Sequence, residues 1–186
     1  MIVGSWSKRP VFLVGGGPSL HGFDFARLEG RGIVCGINQS ALDLEFCDAG
    51  ISLDWRFITE RHHELCQFAQ RRPFFQVTSV REQLIPGAVQ IIDAAEGRSL
   101  TSGHAALRLA LIKGATKIIL LGFDYYIASG RRNYHVGYSW HSPDNDRSLA
   151  RWAQQFVAID GVEILNASPD SLITVYPKIA IDQVLA

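Results

Sequence analysis

Thr101-Ser102-Gly103-His104-Ala105-Ala106-Leu107-Arg108-Leu109-Ala110-Leu111-Ile112-Lys113-Gly114-Ala115-Thr116-Lys117-Ile118-Ile119-Leu120-Leu121-Gly122-Phe123-Asp124 contains a helix followed by a strand. A hydroxyl residue, Thr101 or Ser102, is available as N-cap, an apolar-rich helix is predicted over 103–113, and Gly114 stops it. The run over 117–122 is continuously apolar, without the alternation of a half-exposed strand, as in a parallel strand covered on both faces. Working outward, similar runs bounded by Gly, Asn or Asp occur over 11–15, 33–37, 55–59, 74–78, 89–93 and 162–166. Amphipathic segments over 19–28, 39–46, 60–70 and 146–159 separate them. Strand and helix alternate along the whole length, which predicts one α/β domain over 1–186, a Rossmann-like three-layer sandwich with a mainly parallel sheet. Residues 1–10 form a short N-terminal extension, and 127–145, rich in Gly, Tyr, His and Asn, forms a long functional loop.

Composition narrows the function classes. The 186 residues carry 18 Lys and Arg against 18 Asp and Glu, so there is no excess charge to bind a nucleic acid backbone. Hydrophobic residues at 47% are enough for a folded core, which excludes disorder of the whole chain. No apolar run approaches the ~18 residues that span a bilayer, and the N-terminus has no signal-peptide pattern; the expected location is the cytoplasm. Cys35, Cys47 and Cys66 lack metal-ligand spacing. Exposed aromatics around Trp140 and Trp152 offer an interface for a homo-oligomer.

In a parallel sheet, ligands bind where loops leave the carboxyl ends of the strands. The residues expected there are small and polar. Gly15, Gly16, Gly17, Pro18 and Ser19 form a strand-to-helix turn that either cradles a phosphate or simply turns tightly. The turn is neither G-x-G-x-x-G nor a P-loop. Asn38 and Gln39 follow the second strand and either orient a base or sugar or make an ordinary turn. Thr101, Ser102 and Gly103 open the central helix, where a cap hydroxyl can be shared with an anion. Asp124 ends an apolar strand and can hold a metal or a sugar hydroxyl, or cap a loop. Asp54, read as preceding a strand at 55–59, is assigned a turn role. Ser168 follows the last strand. The loop concentrates His135 and His141 among aromatics suited to stacking, and imidazole is a natural acid or base near neutral pH. A zinc site from His135, His141 and Asp144 fits none of the usual spacings.

The segments Gly15-Gly16-Gly17-Pro18-Ser19-Leu20, Thr101-Ser102-Gly103 and Ile118-Ile119-Leu120-Leu121-Gly122-Phe123-Asp124-Tyr125-Tyr126 resemble two related groups. One is the bacterial sialyltransferases of glycosyltransferase family 42. The other is the MptE-like domain of 6-hydroxymethylpterin pyrophosphokinases and their phage-borne relatives. The resemblance spans Val11 to about Leu172. The sialyltransferase resemblance implies a CMP-sugar donor and a hydroxyl acceptor. Its general-base histidine, in a G-H-S context, matches His141, followed by Ser142; its donor-binding asparagine matches Asn38 and its T-S-G serine matches Ser102. The large lid-like insertion of those enzymes is missing here. The MptE-like resemblance implies pyrophosphoryl transfer from ATP, with Mg²⁺ on Asp124, Asp144 and Asp146. A third reading is a non-catalytic binding or assembly module on the same fold.

Overall fold

A computed structural model describes residues 5–78, 84–92, 99, 101–135, 138 and 143–185, with the side chains of 92 and 143–146 excepted. The strands are β1 (Val11–Val14), β2 (Ile33–Ile37), β3 (Ala49–Ser52), β4 (Phe74–Thr78), β5 (Val89–Ile92), β6 (Lys117–Leu121) and β7 (Glu163–Asn166). They form one sheet in the order β5-β4-β3-β2-β1-β6-β7, and every pairing is parallel. The chain winds outward from β1 to β5, then returns to add β6 and β7 on the other side. The order therefore reverses between β1 and β6, the crevice where such sheets bind ligands.

The expected burial on both faces is visible side chain by side chain. Val11 and Leu13 point into one core with Ile118 and Leu120, while Phe12 and Val14 point into the other with Ile119 and Leu121. Both sets are buried. The helices are α1 (Gln39–Asp43), α2 (Trp55–Glu60), α3 (His62–Arg71), α4 (Ser102–Ile112), α5 (Pro143–Ala153) and α6 (Ile181–Leu185). The apolar side of α4 lies on the first core, over β1, β2 and β3, joined by Trp6, Phe123 and Phe156. Residues of α1, α2, α3 and α6 close the second core. Helix α4 begins one residue earlier than expected, with Thr101 as its N-cap.

The segment 55–59 is helical, not a strand. The Asp54 carboxylate accepts hydrogen bonds from the N–H groups of Arg56 (2.9 Å) and Phe57 (3.3 Å) and starts α2 there, burying Phe57 and Ile58. Asp54 thus follows the third strand rather than preceding it, and stands at the carboxyl edge. The true β3 is Ala-Gly-Ile-Ser, too small to read as a strand. It is small because a Cβ on Gly50 would lie 3.0 Å from both Ala41 Cβ and the Phe74 ring. The expected helix over 19–28 is instead two 3₁₀ turns, Pro18–Leu20 and Phe25–Leu28, parted near Gly22, whose φ of 76° breaks a helix.

Candidate functional site

Along the carboxyl rim of β6, β1, β2 and β3 stand, in that order, Asp124, the Gly15–Gly17 turn, Asn38 with Gln39, and Ser102. The last is tied to β3 because its hydroxyl accepts the Leu53 N–H at 2.9 Å. Asn38 is tied to the same strand by its N–H, which donates to Ile51 O at 3.0 Å. These expected residues therefore share one edge. His141 and the side chains of Asp144 and Asp146 lie outside the described residues.

The glycine turn is less open than a phosphate cradle. Gly15 N donates to Leu121 O (2.7 Å), Gly17 N to Gly122 O (2.9 Å), and Leu20 N to Gly17 O (3.2 Å). Ser19 N donates to Asp124 Oδ2 at 2.9 Å, and Pro18 has no N–H. Among the described residues, Gly16 N is the amide of this turn left without a partner, and Gly16 is partly exposed. An anion here would meet one amide, not a nest of them.

Asp124 is the strut of this turn. Its carboxyl is almost wholly buried, and a Cβ on Gly17 would collide with it. Burial pushes the Asp124 carboxyl above its ordinary range, against the opposing pull of the Ser19 amide, the Ser19 and Ser168 hydroxyls and the Lys178 ammonium. Those hydroxyls lie close enough to act electrostatically, yet Ser19 Oγ and Asp124 Oδ1 form no hydrogen bond of sound geometry. Ser168 Oγ accepts from Phe123 N at 2.9 Å, and Lys178 Nζ donates to Ser168 O and Ser171 O at 3.0 Å each. Ser168 thus clasps the C-terminal segment to the strand end.

A pH prediction follows from the Asp124 shift. An acid whose folded-state pKa is raised binds a proton on folding between its ordinary and shifted values. Its ionisation lowers stability as pH rises through the shifted value, and that loss is absent below the ordinary carboxyl range. Urea unfolding of wild type and Asp124→Asn should therefore show wild type gaining on the variant as pH falls from 7 towards 4. A difference that stays constant over that range would exclude an ionising buried Asp124.

Among the described residues, three buried polar atoms in this part of the chain have no hydrogen-bond partner: Asn38 Oδ1, Gln39 Oε1 and Asn133 Nδ2. Buried amide atoms are normally satisfied, so each of these is an exception to the general rule. Asn38 is also conformationally strained, with φ 54° and ψ −122°. The 127–135 part of the loop lies over the glycine turn. It begins with a tight turn at Ser129 and Gly130, both at positive φ, closed by reciprocal bonds between Ala128 and Arg131 (2.9 and 2.8 Å). Arg131 reaches His21 at 2.9 Å, and Tyr134 N donates to Gly16 O at 3.0 Å. Asn133 Oδ1 and His135 Nε2 each lie 3.3 Å from where a Gly16 Cβ would stand.

His135 packs between the rings of Tyr134 and Tyr138, both 5.1 Å away between centroids, and Tyr138 continues to Phe57 at 5.9 Å. Thr101 Oγ1 accepts from His104 N at 3.2 Å and meets Tyr125 OH at 3.0 Å, so the cap hydroxyl serves the fold. Gly103 leaves room for Tyr125, whose hydroxyl would be 2.9 Å from a Cβ. Two rim residues, Asp43 and Trp55, escaped the sequence reading, whereas Asn133 and Tyr134 entered it only as members of the aromatic loop. Asn133 and Tyr134 lie against Gly16, Asp43 accepts from Tyr134 OH, and Trp55, 63% exposed, stands on the first turn of α2 with Arg56 5.7 Å from its ring. The i,i+4 spacing of Gln39 and Asp43 was the available signal for one of them. Among the described residues, no group of three or more His, Cys, Asp or Glu side chains is arranged to hold a metal ion, and no helix is long and apolar enough to cross a membrane.

No protein-family model and no curated protein sequence matches the chain. Solved structures do. The MAf glycosyltransferase from Magnetospirillum magneticum AMB-1 aligns over 97% of this chain with a TM-score of 0.60 and 16% identity; the chain spans 35% of that enzyme's length. The sialyltransferase CstII from Campylobacter jejuni in complex with CMP aligns over 94% of this chain and 86% of its own, with a TM-score of 0.58 and 18% identity. The same enzyme with CMP-3FNeuAc gives a TM-score of 0.55 over 92% of this chain and 86% of its own, at 18% identity. None of these named structures is a pterin pyrophosphokinase. At such identities the likeness is one of fold: the α/β, Rossmann-like architecture of this chain is shared with glycosyltransferases, sialyltransferase CstII among them.

Proposed function

We propose that the chain binds a nucleotide-sugar donor of the CMP-sugar type along the β6-β1-β2-β3 rim and transfers its sugar to a hydroxyl acceptor. The observation that carries this reading is the set of buried amide atoms on Asn38, Gln39 and Asn133 that have no partner among the described residues. Asn38 and Gln39 offer acceptors and Asn133 offers a donor, a set suited to a nucleoside's hydroxyl and amino groups. The likeness to CstII, whose structures contain CMP and CMP-3FNeuAc, supports the donor class.

In the proposed reaction, the Gly16 N–H and the Ser102 hydroxyl proton approach the donor phosphate. A loop histidine takes the acceptor's proton as that oxygen bonds to the anomeric carbon. The bond from that carbon to the phosphate oxygen breaks, and the nucleotide leaves with the electron pair. His135, with its ring held between Tyr134 and Tyr138, and His141, favoured by the sialyltransferase resemblance, are the two candidates for the base.

The ATP and Mg²⁺ reading fits Asp124 poorly. One oxygen is taken by Ser19 N–H, and burial favours the protonated carboxyl, whereas Mg²⁺ needs an accessible carboxylate. Calorimetric titration separates the readings. CMP should bind more tightly than UMP or ATP, with affinity unchanged by EDTA. Failure of CMP to bind at ~1 mM, an affinity limit of about 4 kcal/mol, overturns the donor proposal. ATP binding that needs Mg²⁺ would favour the pyrophosphokinase reading instead.

A further inference from the structure

We infer that Asp43 is a positioning residue that fixes both the Gln39 amide and the histidine loop, an assignment resting on the donor-site reading above. Asp43 ends α1, and its two carboxylate oxygens face different elements. Oδ1 accepts from Gln39 Nε2 at 2.8 Å, and Oδ2 accepts from Tyr134 OH at 2.8 Å. The first bond decides which way the Gln39 amide faces. A carboxylate cannot donate, so it must meet the amide's NH₂, and Gln39 Oε1 is then turned away, buried and without a partner among the described residues.

The second bond anchors the loop. The Tyr134 phenol has one proton, and the shorter, charge-assisted contact to Asp43 takes it. Ser40 Oγ, 3.2 Å from the phenol oxygen, directs its own proton to Gly15 O at 2.8 Å. Burial, with the Asp43 charge adding to it, pushes the phenol's pKa above its usual range, so the phenol keeps the proton it donates. Tyr134 is also bonded through its backbone to Gly16 O and packs on Phe25 at 5.2 Å, so anchoring it places its neighbour His135. A single exposed carboxylate therefore links an amide acceptor of the rim to the histidine loop that lies over Gly16.

The test uses the full chain with CMP as probe. Asp43→Asn offers one acceptor and one donor in place of two acceptors, so it cannot receive both hydrogens. The Gln39 side-chain amide resonances should move in the ligand-free protein. CMP affinity should fall about tenfold, as for one lost hydrogen bond to an ordered partner. Because Asp43 is exposed, the melting temperature should shift by no more than about 3 °C. Asp43→Glu keeps two acceptor oxygens and should recover most of the affinity. Tyr134→Phe removes only the loop bond. It should shift the His135 ring resonances and leave the Gln39 amide resonances in place. Unmoved Gln39 resonances in Asp43→Asn overturn the proposal. So does unchanged CMP affinity in that variant when wild type binds CMP. If wild type does not bind CMP, the donor reading falls, and the Gln39 resonances alone decide the role of Asp43.

Discussion

Gly17→Ala should destabilise the protein by about 3 kcal/mol, the upper range for forcing extra volume into a packed site. The obstacle is space and not conformation. Gly17 has φ −64° and ψ 154°, ordinary extended values that alanine adopts freely. Its Cβ, however, would collide with the Asp124 carboxylate and stand 2.6 Å from Gly122 O. Neither neighbour can withdraw cheaply, because the carboxylate receives Ser19 N–H and the carbonyl receives Gly17 N–H. Gly22 and Gly30 have the opposite problem: φ values of 76° and 72° with open space around each. Alanine there should cost only about 1 kcal/mol. Truncating the strut as well, in Gly17→Ala with Asp124→Ala, should recover part of the lost stability, since the carboxylate is gone while Gly122 O remains. Urea unfolding of the variants checks this order. A Gly17→Ala protein as stable as wild type would show that the turn is not braced by Asp124.

The same interlock explains why the sequence conveyed the fold better than the site. β1 and β6 are central strands with a helical layer on each face, so both of their faces must be apolar, and uninterrupted apolar runs follow directly. β3 lies equally deep, but α1 and β4 press so close at Gly50 that small residues replace the usual strand formers. The aromatic and β-branched residues that looked like a strand at 55–59 belong to a short helix instead. Its start depends on the Asp54 cap, a signal far weaker than a hydrophobic run.

At the site, the residue types were legible and their bonding was not. Glycines between a strand and a proline announce a turn. Which amides of that turn remain free depends on how β1 and β6 lie beside each other, and these are over a hundred residues apart in the chain. Asp124 could be read as a metal ligand, a sugar ligand or a cap because all three need a carboxylate at a strand end. Only its contact with Gly17 and Ser19 reveals the bracing role. Asp43 and Tyr134 lie about ninety residues apart, a pairing with no local pattern to betray it.

Asn38→Gly should weaken CMP binding by roughly tenfold to a hundredfold, the loss for one or two hydrogen bonds in a desolvated site. Its fold should be as stable as wild type or firmer by about 1 kcal/mol. Under the donor proposal the two effects separate because strain and recognition meet in this residue. At φ 54° and ψ −122°, Asn38 lies away even from the left-handed helical region, where ψ is about +47°. Its backbone is held there by the bond to Ile51 O and by Ala41 N, which donates to Asn38 O at 3.0 Å. Glycine relieves the strain and keeps both bonds. Alanine keeps the bonds and the strain, so Asn38→Ala should lose about 1–3 kcal/mol of stability relative to glycine. Glycine would occupy this position with less strain, yet it carries an asparagine whose buried oxygen has no partner among the described residues; under the donor proposal, that side chain is kept for the ligand. Melting curves and CMP titrations on the same two variants decide the matter. If Asn38→Gly binds CMP as tightly as wild type, the strained asparagine serves the chain alone and the donor must be held elsewhere on the rim.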